Sequence, residues 1–578
     1  ERGEHMKKER WVVSAKRADF QAIADRFGID PVIARLIRNR DVTGEKEIEE
    51  YLFGDLEQLH DPLLMKDMER AADLIAEKIR EKKPIRIIGD YDIDGVTATY
   101  ILLTGLKDLG ADADVRIPDR IADGYGLNEH LVQFAADEGR DTIVTCDNGI
   151  AAGSQIRLAK ELGMTVVVTD HHEVPFEEDE NGERRYILPP ADAVVNPKQK
   201  DCSYPFPGLC GAAVAWKLIQ TMEAKAGIPK EHSFRFLEFV AIATIGDVMD
   251  LVGENRVFVK KGLELLKTTK NEGLHALMQC TGVDTANLNT YHIGFVIGPC
   301  INAGGRLDTA KRALELLNAS NRREAVTLAA DLKELNDSRK EMTEEGVEEA
   351  VRQIESSSWK DDQVLVVYLP ECHESIAGII AGRIKERYYR PTFVLTKGET
   401  GVKGSGRSIE AYDMFAEMSR CRELFTKFGG HKLAAGLSLE EENVEVFRKR
   451  INELADLTEE DLQMKVSIDM RLPFPYINEE LIHELKILEP FGKGNGKPLF
   501  AESKLRVIQP RIFGKNRNVL KCRLEDQQGN QMEAVYFGEV EDCLRQMEKK
   551  QIMSFTYYPT VNEYMGKRTI QLTIVNYQ

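Results

Sequence analysis

The sequence has no apolar run near the ~20 residues that a membrane-spanning helix needs. Its first residues, Glu1 to Lys8, are charged and lack an apolar core, which predicts no secretory signal. Cysteine is sparse. Nine are scattered through 578 residues, none as Cys-x-x-Cys, which excludes a disulfide framework and argues against structural zinc. A reducing cytoplasm is the expected location. There is no Gly-x-x-x-x-Gly-Lys-Ser/Thr loop, so a P-loop NTPase is not expected. No Gly-x-Gly-x-x-Gly follows the first strand, which weakens a dinucleotide oxidoreductase. Positive charge is in deficit, 78 Lys and Arg against 96 Asp and Glu, for a net −18. That excludes a uniformly basic sleeve for nucleic acid but not a local basic patch.

What is present is ordinary globular composition, 42% hydrophobic and 30% charged. The length fits roughly three to five domains. Residues 1–83 read as a helical lead-in. From Pro84 the pattern changes to short β-branched strands alternating with helices, which predicts a parallel sheet covered on both faces. This domain is expected over 84–320. The Ala-, Glu- and Arg-rich stretch 321–359 has no proline and reads as one or two long connecting helices. A second α/β domain is expected over 360–457, and a small β-barrel over 458–578. Residues 503–578 hold 12 basic against 8 acidic side chains, and 504–523 hold seven basic and no acidic ones. Lys515, Arg517 and Lys521 lie in that basic stretch and point to polyanion binding.

Three predicted strands end in Asp or His. Gly89-Asp90-Tyr91-Asp92-Ile93-Asp94-Gly95 places carboxylates at every second residue, which an extended chain would project to one side. Such carboxylates repel one another unless a hard cation relieves them. An EF-hand is rejected, because a strand precedes the loop and its last position carries no acid. The second strand ends in Asp147-Asn148-Gly149, the third in Asp170-His171-His172. Asp247 interrupts an apolar helix predicted over 236–245, where it needs a partner. Each signal alone fits a turn, cap or exposed group. Together, five Asp and two His on the ligand-binding edge of an α/β sheet suit two divalent cations about 3.5–4 Å apart. Such a pair serves phosphoester hydrolysis.

GDYDIDG (89–95), TCDNG (145–149), DHH (170–172) and ATIGDVMDL (243–251) resemble the four motifs of the DHH phosphoesterases. Within them, the sequence is similar to the RecJ-type exonucleases from about residue 10 onward. Further matches are Ile117 to Arg120, Gly124 to Leu127, Ile297 to Leu307, Gly404 to Ser408 and Gly429-Gly430-His431. The resemblance implies a DHH domain, a DHH-associated domain and an oligonucleotide-binding (OB) barrel. It implies a 5′→3′ exonuclease on single-stranded DNA, using two Mn²⁺ or Mg²⁺ ions in recombination and repair. Asp147 would bridge the ions. Asp94, His171 and Asp247 would hold one and Asp92 the other, with Asp90 and His172 at or beside them. Arg120, Ser405 and Arg407 would hold the 5′-phosphate, and Arg306 and His431 would touch the scissile region. Implied partners are single-stranded DNA, a single-strand-binding protein and a RecQ-type helicase. Cys300, Gly304 and Cys372 to Gly378 depart from the family pattern and bear on substrate positioning. Phe513, Tyr536, Phe537 and Tyr564 are candidate stacking platforms, with barrel core as the competing reading. Two other functions stay open: a phosphodiesterase for short oligonucleotides or cyclic dinucleotides, and a silent strand-binding scaffold.

Overall fold

The structure is a computed structural model that describes residues 9–119, 125–179, 182–398, 400–564 and 566–578. The chain forms two compact units. One holds Leu56–Asp250 and Glu254–Met464, the other Glu9–Asp55, Leu251–Gly253 and Lys465–Gln578.

In the first unit, β1 (Ile85–Ile88), β2 (Ala113–Arg116), β3 (Thr142–Cys146), β4 (Thr165–Thr169) and β5 (Ala193–Val195) form one parallel sheet in the order β2-β1-β3-β4-β5. Every residue of β1 and β3 is buried, as expected of strands covered on both faces. The one charge in β1, Arg86, is fully buried and donates to Asp114 and Glu138. Three helices bear on the sheet's C-terminal edge: α1 (Ile93–Asp108), α2 (Gly211–Lys225) and α3 (Leu237–Gly246). A fourth, α4 (Gly298–Leu307), follows a π-helical turn over Ile293–Ile297. The long stretch is one 34-residue helix, α5 (Arg322–Glu355).

Beyond α5 lies a mixed sheet of β6 (Leu365–Tyr368), β7 (Thr392–Lys397), β8 (Val402–Arg407), β9 (Lys427–His431) and β10 (Ala434–Leu439), ordered β9-β10-β8-β7-β6. Only the β6–β7 pair is parallel. Helix α6 (Ala377–Tyr388) joins α5 and β7 in one apolar cluster through Ile380, Ile384, Ile354 and Val394.

The second unit is a closed five-stranded barrel. Its strands are β11 (Phe500–Phe513), β12 (Val519–Glu525), β13 (Gln531–Tyr536), β14 (Ile552–Tyr564) and β15 (Lys567–Tyr577). β11 closes it by pairing with both β12 and β14. The N-terminal stretch is divided. Ile33, Leu36, Ile48 and Leu52 share one core with Leu505 and Phe555 of the barrel, whereas helix Met68–Arg80 belongs to the first unit. No helix among the described residues is long and apolar enough to cross a membrane.

Candidate metal centre

After β1 the chain turns through Gly89 and Asp90 into α1. The helix begins earlier than the apolar spacing predicts. Asp92 is its N-cap, accepting from the Gly95 amide at 2.9 Å, and Asp94 sits in the first turn. The three carboxylates therefore do not project from an extended strand end. A cap and a helical turn bring them round instead. Gly95 is required there, because a Cβ would lie 2.5 Å from the Asp90 carbonyl oxygen.

Asp94 is buried against the start of α2. Its two oxygens accept from the Gly211 and Ala212 amides at 2.6 and 2.7 Å. The positive end of α2 thus fixes this carboxylate. Asp147 follows β3 in the left-handed region (φ 60°) with 1% exposure. A Cβ on Gly211 would lie 2.6 Å from the Asp147 Cβ, so only glycine lets α2 approach this closely. Asp247 does not interrupt its helix. It caps the C-terminus of α3, and Val248 at φ 55° turns the chain away.

His171 stands at the centre. Its Nε2 lies 3.1 Å from Asp147 Oδ1, 3.4 Å from Asp94 Oδ2 and 3.7 Å from Asp247 Oδ2. His172 Nδ1 is 3.9 Å from Asp147 and 2.7 Å from Asp170 Oδ1. Three ligand sets converge within 4.8 Å: Asp94, His171 and Asp247; Asp90, Asp92 and Asp147; Asp147, His171 and His172. Asp147 belongs to two of them.

The electrostatics are those of a cation site. Burial, reinforced by Asp92, pushes Asp90 up to about 8. Burial and Asp94 push Asp247 up to about 8 as well. Asp92 is raised, and Asp147 lies well above the ordinary carboxylate range, in both cases by burial and then Asp94. Burial lowers His171, favouring the neutral imidazole a metal requires. Asp147 Oδ1, both oxygens of Asp90 and both ring nitrogens of His171 are buried without a hydrogen-bond partner. In folded proteins most buried polar atoms are paired, and five unpaired atoms on three adjoining residues form a cluster. Oxygen and imidazole donors in this number fit Mn²⁺ or Mg²⁺.

Several supporting residues escaped the sequence reading. Asp170 Oδ1 accepts from the amides of His171 and His172 at 2.8 and 3.2 Å, and Oδ2 from the Ile150 amide at 3.0 Å. Burial opposes the charge on His172, but Asp170 outweighs it and holds the imidazole up at about 9. The Tyr125 hydroxyl donates to the Asp147 carbonyl at 2.8 Å and lies 3.1 Å from the His172 ring nitrogens. Asn302 on α4 accepts from the Ile93 amide at 2.8 Å. Asp170 was visible as the first letter of its motif. Tyr125 and Asn302 lie within the family matches Gly124 to Leu127 and Ile297 to Leu307, where no role was attached to either.

The remaining predicted residues fall in three places. Arg120 and the Tyr564 side chain lie outside the described residues. Arg306 on α4 donates to the Ser375 carbonyl at 2.8 Å, reaching the turn before α6. Ser405 and Arg407 lie on β8 against Gly378 of α6, where an added Cβ would be 2.7 Å from Arg407 Nη2 and 3.5 Å from the Ser405 Cβ. The β8–β10 and β10–β9 registers put His431 in the same cross-strand row as Arg407. In the barrel unit, Lys515 lies in the β11–β12 turn. Arg517 pairs with Glu541 at 2.8 Å, and Lys521 Nζ is 5.7 Å from the Phe513 ring centre. Phe513 and Phe537 are 47% and 60% exposed, whereas Tyr536 packs on the barrel core.

Comparison with known proteins agrees with this arrangement. Residues 84–244 match the DHH family N-terminal domain, 361–456 the DHHA1 domain and 468–576 the RecJ OB domain. Over 98% of its length the chain is 35% identical to the single-stranded-DNA-specific exonuclease RecJ of Bacillus subtilis (strain 168), covering 70% of it. The chain belongs to the RecJ family. The crystal structure of Thermus thermophilus RecJ in complex with Mn²⁺ superposes with a TM-score of 0.83 at 28% identity, over 99% of this chain and 80% of that one. The Mg²⁺ complex of the same RecJ gives a TM-score of 0.77 at 26% identity, over 99% and 78%. The α/β domains and OB barrel foreseen in the sequence are thus the RecJ architecture.

Proposed function

We propose that the chain is a metal-dependent exonuclease that degrades single-stranded DNA 5′→3′ to 5′-mononucleotides. The observation that carries this reading is the convergence of Asp90, Asp92, Asp94, Asp147, Asp247, His171 and His172, with buried donors lacking partners. The named relatives support it, being single-strand-specific exonucleases and Mn²⁺- and Mg²⁺-bound RecJ. The proposed domains are 84–320, 321–359, 360–457 and 458–578, after the lead-in.

Asp147 shares a ligand set with Asp90 and Asp92 and lies 3.1 Å from His171 of the other, so it is assigned the bridge between two cations. Asp94, His171 and Asp247 are assigned one ion, Asp92 with Asp90 the other. Bound there, two divalent cations neutralise the scissile phosphate and lower the pKa of the attacking water. The protein's part is positioning. The amides at the start of α2 hold Asp94, and the left-handed turn holds Asp147 beside His171. Asp170 keeps His172 charged beside it. Arg306, whose fork matches phosphate oxygens, would lie along the strand. Ser405, Arg407 and Arg120 would hold the 5′-phosphate, with His431 near the scissile region. Lys515, Arg517 and Lys521, with exposed Phe513 and Phe537, would grip the strand on the barrel. Work in repair and recombination in the cytoplasm, beside a single-strand-binding protein and a RecQ-type helicase, follows the same reading.

The test is a single strand labelled at either end, incubated with Mn²⁺ or EDTA, beside Asp147→Ala. Early release of 5′-labelled mononucleotide, abolished by EDTA and by the substitution, is expected. Loss of the 3′ label first would overturn the 5′-phosphate assignment. Binding without cleavage in every arm would overturn the enzyme.

A further inference from the structure

The sheet face that carries Ser405 and Arg407 continues past them. Register aligns β7, β8, β10 and β9 into three cross-strand rows. The first contains Arg407 and His431, the second Ser405, Gly436 and Gly429, the third Thr396, Lys403, Ser438 and Lys427. The opposite face is packed. A Cβ on Gly404 would lie 2.3 Å from Leu395 Cδ2, and one on Gly406 would lie 2.4 Å from Met414 Sδ. The middle row is covered by α6 at Val394 and Ser405 but bare at its two glycines. A Cβ on Gly429 would meet nothing within 4 Å, and one on Gly436 would reach only the Gly404 carbonyl at 4.0 Å. Steric crowding within the protein therefore does not account for glycine at these two positions. Close approach of a ligand does.

A cavity of about 400 Å³ lies over this floor, lined by Ser405, Gly429, Gly436 and the third-row Lys403, Lys427 and Ser438. Its wall is the Glu374–Ile376 turn, whose Ser375 carbonyl receives Arg306. Lys403 pairs with Glu374 at 2.9 Å. Successive rows are two residues apart, or about 7 Å. A phosphate held by Ser405 and Arg407 would thus have two ammonium groups and the Ser438 hydroxyl one row further on. Lysine meets phosphate as a mobile point charge, which suits a flexible polyphosphate.

We infer that the trough formed by Lys403, Lys427 and Ser438 is a second anion subsite, which takes the β- and γ-phosphates of a single strand with a 5′-triphosphate end. The inference rests on the reading that Ser405 and Arg407 hold the 5′-phosphate. Entry of the polyphosphate replaces Glu374 as the partner of Lys403. The hydrolysis is otherwise unchanged. The water oxygen bonds to the scissile phosphorus, and the bond from phosphorus to O3′ of the terminal nucleotide breaks. O3′ leaves and takes a proton. The first product is then a nucleoside 5′-triphosphate, and the shortened strand keeps a 5′-monophosphate.

The test compares the full-length protein with Mn²⁺ on one strand carrying a 5′-mono- or a 5′-triphosphate. The expected wild-type kcat/KM values agree within about threefold, with nucleoside triphosphate as first product. Lys403→Ala with Lys427→Ala should lower kcat/KM for the triphosphate end about tenfold and leave the monophosphate end within about twofold. The Lys403→Arg, Lys427→Arg pair should restore it. A wild-type enzyme that stalls on triphosphate ends, or an alanine pair that slows both ends equally, would overturn the subsite. Arg407→Ala should slow both ends. If it treats both like wild type, the 5′-phosphate placement itself fails, and the subsite with it.

Discussion

Asp170 is not assigned as a metal ligand, yet the centre hangs on it. One carboxylate receives four N–H groups: the Ile150, His171 and His172 amides and the His172 ring, at 2.7 to 3.2 Å. Asp170→Asn keeps the shape but turns one oxygen into a donor. If the amide nitrogen replaces Oδ2 it faces the Ile150 amide. If it replaces Oδ1 it faces the other three donors. Either way a buried donor meets a donor. Hydrogen bonds to a charged acceptor are worth about 1.5–3 kcal/mol each, so the loss of one and weakening of the rest should cost the first unit roughly 3 kcal/mol. Partners behind metal ligands typically contribute about 10–100-fold in metal affinity. We therefore expect Asp170→Asn to weaken Mn²⁺ binding by about 10–100-fold and to lower kcat/KM at least as far. His172, held up at about 9 by Asp170, should also lose its proton at lower pH. Calorimetric Mn²⁺ titration of the metal-free protein, alongside urea unfolding, measures both effects. Unchanged Mn²⁺ affinity in a folded variant would refute the reasoning.

Three further outcomes follow from the same geometry. Gly211→Ala places a Cβ 2.6 Å from that of Asp147 and disturbs the amides that hold Asp94, so kcat/KM should fall about 100-fold or more while circular dichroism stays native. The raised carboxylates make metal-free stability fall as pH rises. Asp90 and Asp247, at about 8, bind more protons folded than unfolded between pH 4 and 8, and that advantage is lost as pH rises through 8. A cation must displace those protons, so the Tm increase on adding Mn²⁺ should be larger at pH 8.5 than at 6.5; an increase independent of pH would contradict the assignment. Phe513→Ala or Phe537→Ala should weaken single-strand binding by about fivefold or more with little change in Tm, since both rings are largely exposed. Equal binding by fluorescence anisotropy would return these rings to a purely structural role.

The first α/β domain was legible because buried parallel strands read as short apolar runs ending in Gly, Asp or His, and the second because β6 and β7 are apolar runs flanking a helix. The convergence of the metal residues was legible because strand ends of one sheet share an edge. Local geometry was less so. Helix α1 was expected from about Thr97, and the cap at Asp92 extends it to Ile93, turning a supposed row of side chains into a cap and a first turn. Asp247 sits past its helix rather than within it, since nothing in the apolar run marks Val248 as the turning residue. Strand β11 was hidden because Gln509, at φ 48°, and Pro510 break its alternation at a bulge between Ile508 and Arg511. The packing of Ile33, Leu36 and Ile48 on the barrel joins residues more than 450 positions apart in sequence, which no local pattern encodes.

The central claim is that six side chains, Asp90, Asp92, Asp94, Asp147, His171 and Asp247, hold two divalent cations bridged by Asp147. Anomalous diffraction from crystals grown with Mn²⁺ tests it directly. The account predicts two strong peaks about 3.5–4 Å apart, with Asp147 touching both, His171 and Asp247 one, and Asp92 the other. A single peak, or two peaks that Asp147 does not join, would contradict it.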